Sequence, residues 1–279
     1  MNGAAFVVVF RESMEAILVL GVLYTWLVRA ERRDALRWLW AGAMAGIALA
    51  ISLGAALMGV GDVLSGEAQT LFQVIMSAVA ALLIVHMAAW MRRHGATLKG
   101  VLERDAQRCL APVRQWGIAS LAALAVAREG AETLVFLYGI GVAQWHQGTR
   151  WDFVLSAGLG LVMAALCFWA LQWTSRRFAW RLYFVISEAL LLLVAAGLWV
   201  SALEGLINLG WLPAGMDPLW DTSQWLDDGQ GVGGMLASIA GYRAWPPSTL
   251  VLGYIAYWWL VIMYLQVPLR RQSRDRVAS

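Results

Sequence analysis

Charge is scarce in this chain of 279 residues: Asp, Glu, Lys and Arg together make up 14% of it, against about a quarter in an ordinary soluble domain. Lysine is almost missing, since Lys99 stands alone. The last apolar run therefore has no lysine for a retinal Schiff base, and no G-x-x-x-x-G-K phosphate loop can be written. There are two cysteines, Cys109 in a basic stretch and Cys167 inside an apolar run. That separation leaves no disulfide framework and no cysteine metal motif. No Lys or Arg precedes the first apolar run, which is too long for a signal-peptide core and carries two carboxylates. The run is expected to persist as a membrane span and not to be cleaved.

In place of charge there is apolar mass, 61% hydrophobic residues with 17 Trp and a mean hydropathy of +0.64. A transmembrane helix needs about 20 largely apolar residues, and seven runs meet that length. They are Ala4 to Val28, Trp38 to Val60, Ala68 to Met91, Gly117 to Val142, Phe153 to Thr174, Leu182 to Leu203 and Leu250 to Val267. Trp26, Trp38, Trp40, Trp90, Trp116, Trp145, Trp151, Trp199 and Trp211 lie near run ends, where an amphipathic ring anchors at the headgroups. Of the 21 basic residues, 17 fall after runs 1, 3, 5 and 7, while only Arg150 and Arg243 fall on the other side. The positive-inside rule then predicts an outside N-terminus and an inside C-terminus. It also makes nucleic-acid binding an unnecessary explanation of the basic excess. The expected fold is an all-α integral membrane protein of the bacterial inner membrane, with no feature of an enzyme.

The two remaining basic residues, Arg11 and Arg128, sit inside runs 1 and 4 and open the same pattern, R-E-x-x-E: Arg11-Glu12-Ser13-Met14-Glu15 and Arg128-Glu129-Gly130-Ala131-Glu132. Aligning the two also sets Leu20 on Leu137. Three runs per copy is an odd number, so the second copy is inserted upside down, and the chain is expected to be an inverted 3+3 repeat plus a seventh helix. Repeat one covers residues 4–91, a cytoplasmic linker 92–116, repeat two 117–203, an acidic outer segment 204–248, and the last helix with its basic tail 249–279. Residues three or four apart share a helix face, so each Arg can offset its second Glu. Two facing motifs then form a midplane site of net charge minus two. Six charges at the bilayer centre would cost roughly 15 to 20 kcal/mol even on the lenient insertion scale. They must therefore face one another or a wet cavity. Four hard carboxylates, Glu12, Glu15, Glu129 and Glu132, suit a hard multivalent cation, with Arg11 and Arg128 tempering its affinity. A structural ion-pair network between the two spans is the alternative.

These residues carry a resemblance. Two R-E-x-x-E motifs on the first and fourth of seven spans resemble the oxidase-dependent high-affinity iron permeases and their bacterial ferrous-iron and lead permease relatives. The stretch Ala195-Ala196-Gly197-Leu198, Glu204, Gly210-Trp211-Leu212-Pro213, Leu219-Trp220-Asp221-Thr222-Ser223 and Gly241-Tyr242 before Pro247-Ser248 is similar to the family's sixth span and outer loop. The resemblance implies inward iron transport, with the motif glutamates binding and passing the ion and no tightly bound cofactor. It also implies a periplasmic or extracellular oxidase or iron-delivery partner where the ion enters as ferric iron. Two positions depart from the family: Ser13-Met14 stands where Gly-Leu is usual, and Gln73 where a span-3 glutamate is usual. Gln73 keeps an oxygen ligand but no charge.

The other polar residues leave choices open. Glu188 is a second site on the exit path, a partner for an inner basic residue, or an acid snorkelling to the surface. His86 is an inner-end packing residue or part of the pathway, and His146 is a solvated loop residue. The outer segment holds Glu204, Asp217, Asp221, Asp227 and Asp228 against Arg243 alone. It is either a cation funnel or a loop that docks a partner and caps helix ends. Gly229, Gly231, Gly233 and Gly234 suggest a flexible part of it. Two other functions compete with iron transport: a proton-coupled carrier of Pb, Mn or organic cations, and a seven-helix sensor locked by ion pairs.

Overall fold

A computed structural model of the chain describes residues 2–94, 115–145, 150–173, 177–229 and 231–277. Within them the backbone is helical and contains no strand: α1 (Gly3–Arg29), α2 (Leu36–Val63), α3 (Glu67–His94), α4 (Gln115–Trp145), α5 (Arg150–Trp173), α6 (Arg177–Asn208), α7 (Gly231–Ala240) and α8 (Ser248–Val277). Every expected span lies inside one long helix, apart from Thr174. Thr174, Cys109, His146 and the linker's Lys99, Arg104, Arg108 and Arg114 lie outside the described residues.

Stretches in α2, α3, α5, α6 and α8 are long and apolar enough to cross a membrane, with mean hydropathy of 1.6 to 2.2. Helices α1 and α4 have the length, at 27 and 31 residues, but the R-E-x-x-E charges interrupt their apolar runs. Helix is the form that satisfies the backbone without water, and the ends are closed locally. Asn2 caps α1, its side-chain oxygen accepting from Ala5 N at 3.1 Å, while its own N–H donates to Ser156 Oγ at 2.8 Å. After Ala30, Glu31 takes a φ of +56° and a single 3-10 turn, Arg33–Ala35, leads into α2.

The helices pair in fixed directions. α2 runs parallel to α4, with residues 42, 46, 50 and 54 meeting 119, 123, 130 and 134 in turn. A Cβ at Gly42 would collide with the Ala119 carbonyl oxygen, and one at Gly46 would lie 2.7 Å from that of Ala123. Small residues let helices approach this closely in lipid. α1 runs parallel to α5, with Asn2 at Ser156, Phe6 at Gly160 and Gly21 at Phe168. α1 and α4 are antiparallel: Leu23 and Leu27 cluster with Ile118 and Ala122, and Ala4 and Val8 with Phe136 and Ile140. α3 and α6 are antiparallel as well, with Val74 at Gly205 and Arg92 at Glu188. The main core gathers Val8, Ile84, Phe136, Leu191 and Val194 from α1, α3, α4 and α6, closed by Tyr257 and Val261 of α8. α2 and α5 are peripheral and turn Leu49, Ile51, Leu155 and Leu161 outward. Such a continuous exposed apolar surface is suited to a bilayer.

The glycine-rich stretch differs from the expectation of a flexible loop. Residues 231–240 form α7, which packs on α6 and α1 with Ile239 against Gly3. The reason lies in Gly233, which is buried where a Cβ would strike the Asp227 carbonyl. At Gly233 the missing side chain permits close contact.

Candidate metal site

The site is built from the middles of two antiparallel helices. Glu15 is the thirteenth residue of α1, and Glu129 is the fifteenth of α4. On α1, the i, i+3 and i, i+4 spacings place Arg11, Glu12 and Glu15 on neighbouring positions of the helix. Arg11 Nη1 lies 2.9 Å from Glu12 Oε1, and its Nη2 lies 2.6 Å from Glu15 Oε1. The guanidinium thus grips both carboxylates of its own motif, and Nη1 also donates to Met87 Sδ at 3.5 Å. Across from them, Glu129 approaches so that one oxygen from each of Glu12, Glu15 and Glu129 lies within 4.8 Å of the other two. Two oxygens bound to one ion at about 2.1 Å are at most about 4.2 Å apart, so a small contraction would let the three share a cation.

Electrostatics point the same way. Glu12 Oε2 and Glu129 Oε2 are buried and have no hydrogen-bond donor among the described residues. A buried anionic oxygen without a donor is costly. Three carboxylates against the one guanidinium that grips two of them leave a formal charge of minus two. A multivalent cation would meet both the missing donors and the charge.

Glu132 does not join the three. Its carboxylate is held by Arg128, with Nε to Oε1 at 2.9 Å, and Arg128 stacks over Trp90 at 5.4 Å from the ring centroid. The remaining candidates lie apart from the cluster. Gln73 lines a cavity between α2, α3 and α4. Glu188 pairs with Arg92 of α3, the second of its three sequence alternatives. Glu204 pairs with Arg243 through both oxygens, Nη2 to Oε2 at 2.7 Å. Burial works against the charge on Arg243, but Glu204 and then Asp228 outweigh it and hold the guanidinium pKa above its ordinary value. Asp221 accepts from the Ser223 hydroxyl at 2.7 Å and its N–H at 2.9 Å, which hold its carboxyl below the ordinary range. Asp227 accepts from Gly229 N, and Asp228 from Ala244 N. Most of the acidic outer segment is thus engaged in holding that segment together. His86 lies on an apolar groove of about 460 Å³ beside Trp199, Tyr257 and Tyr264. Sequence reasoning passed over Met87, which touches Arg11, and Asp62, which lines the Gln73 cavity; Trp90, read as a headgroup anchor, covers Arg128. Only the i, i+3 spacing of Met87 and Trp90 could have hinted that α3 presents both to one side.

Comparison with known proteins matches residues 3–272 to the iron permease FTR1 family. The ferrous iron permease EfeU of Yersinia pestis is 26% identical over 276 residues, covering 98% of this chain and 96% of its own. The ferrous iron permease EfeU of Escherichia coli O6:H1 is 27% identical over 254 residues, covering 90% and 91%. No solved structure matches.

Proposed function

The chain belongs to the iron permease FTR1 family and is a multi-pass membrane transporter, not an enzyme; from that premise we propose that Glu12, Glu15 and Glu129 bind the iron it carries. The observation that carries this reading is the convergence of the three carboxylates, with buried oxygens of Glu12 and Glu129 lacking a donor. Inward transport across the bacterial inner membrane accords with relatives named ferrous iron permease. Their name favours ferrous iron as cargo; if ferric iron enters instead, a periplasmic oxidase or delivery protein supplies it.

The spanning scheme is part of the proposal. α1 and α4 cross the membrane with the five apolar helices, giving seven spans in an inverted 3+3 repeat plus α8, N-terminus outside and C-terminus inside. The directions of packing support it. An in-plane two-fold exchanging α1–α3 with α4–α6 makes α1 with α5 and α2 with α4 equivalent parallel pairs, and α1 with α4 and α3 with α6 antiparallel. Those are the pairings observed. On this scheme iron is held among Glu12, Glu15 and Glu129 with Glu132 beside them, and Arg11 and Arg128 weaken the hold enough for release.

The test is radioiron uptake into proteoliposomes under ascorbate, with Pb, Mn, Zn and choline as competitors. Uptake that is lost in Glu15→Gln and Glu129→Gln, while both proteins insert normally, supports the site. Normal uptake in both variants rules it out, and competition by choline would favour an organic-cation carrier.

A further inference from the structure

The cavity that holds Gln73 has a composition of its own. It is a half-open cleft of about 230 Å³ between α2, α3, α4 and the start of α5, and its polar lining is the exposed Asp62 with the half-buried Gln69, Gln73 and Tyr138, set among apolar groups such as Leu134 and Phe153. A divalent ion with six waters needs about 180 Å³ at roughly 30 Å³ per water, so the cavity admits the ion hydrated. The lining is all hard oxygen: one carboxylate, two carboxamides and a phenol. Among the described residues none of these four side chains makes a hydrogen bond or ion pair within the protein. Tyr138 is also held in place. Its ring meets Phe72 edge-on at 5.4 Å and 70°, and its hydroxyl occupies the space that a Cβ on Gly61 would take.

Position along α4 relates this cavity to the carboxylates. Leu134, Leu137 and Tyr138 follow Glu132 on the same helix, and Tyr138 is about 9 Å further on at 1.5 Å per residue. We propose that the cavity is a second cation site, holding a hydrated divalent ion before it sheds water at Glu12, Glu15 and Glu129. Asp62 supplies the single negative charge. The amide oxygens of Gln69 and Gln73 accept hydrogen bonds from the ion's waters, as does the Tyr138 hydroxyl. One carboxylate and neutral oxygens hold a hydrated ion loosely, which a staging site requires, whereas three converging carboxylates suit inner-sphere binding. Only the direction of travel rests on the permease reading; the existence of the site does not.

The test uses Mn2+ as a paramagnetic probe, titrated into the purified full-length protein in detergent and read by electron paramagnetic resonance. The wild type is expected to bind two Mn2+ per chain, Asp62→Asn one, and the double variant Asp62→Asn/Gln73→Glu two again. In proteoliposomes Asp62→Asn should raise KM for ferrous iron about fivefold and leave Vmax within about twofold, the pattern of lost ground-state binding. Unchanged Mn2+ stoichiometry in Asp62→Asn overturns the proposal. So does a wild type that binds a single Mn2+, lost in Glu15→Gln. A wild type that carries no iron would instead refute the transport function, and the Mn2+ titration would still decide the second site.

Discussion

Arg11 and Arg128 open the same five-residue pattern, yet Arg11 is 3% exposed and Arg128 53%. The α1 motif lies against the main core, where Arg11 spans both of its glutamates and touches Met87. The α4 motif is split: Glu129 turns into the cluster, while Arg128 draws Glu132 outward beneath Trp90. Identical residues thus make a buried clamp on one helix and a half-exposed pair on the other.

The largest effect should come from the converging carboxylates. Glu12→Gln or Glu129→Gln is expected to cut initial radioiron uptake about 100-fold, and Glu132→Gln only about tenfold, the span over which metal-site groups are usually felt. Equal losses at Glu129 and Glu132 would erase the division within α4. Next is stability, read by thermal unfolding in detergent. Arg11→Ala leaves two buried carboxylates without their cation and should cost about 3 to 5 kcal/mol. Arg128→Ala, at a half-exposed pair, should cost about 1 kcal/mol or less.

Much of this was legible in the sequence, and the remainder failed for one physical reason. The long helices could be placed because apolar length marks them, and the motifs because charges inside such runs are conspicuous. What could not be read were contacts whose partners are distant in sequence. Glu188 and Arg92 are 96 residues apart, and Glu204 and Arg243 are 39 apart. The helix period says which face of α4 holds Glu129 and Glu132, but not that Trp90 would provide a seat for Arg128. Nor does composition reveal that Gly233 marks close packing, since a glycine serves motion and contact equally well in a one-dimensional pattern.

Two smaller effects sharpen the contrast further. Arg11→Lys cannot reproduce the two-pronged grip, because an ammonium lacks the planar fork; uptake and melting temperature should both fall, while Arg128→Lys stays near wild type in both. Trp90→Leu should weaken the α4 pair by about 0.5 to 1 kcal/mol, the worth of one exposed cation–π contact. A double-mutant cycle with Arg128→Ala measures it, and a coupling near zero would mean that Trp90 only packs.

The seam between α2 and α4 also constrains how such a chain can diverge. At Gly42 the obstacle is the Ala119 carbonyl oxygen, part of the backbone, so no substitution on α4 makes room for a larger residue. At Gly54 the obstacle is the Leu134 side chain, 2.9 Å from where a Cβ would stand. Descendants of this sequence are therefore free to trade bulk between positions 54 and 134 as a linked pair, while position 42 has no partner with which to trade.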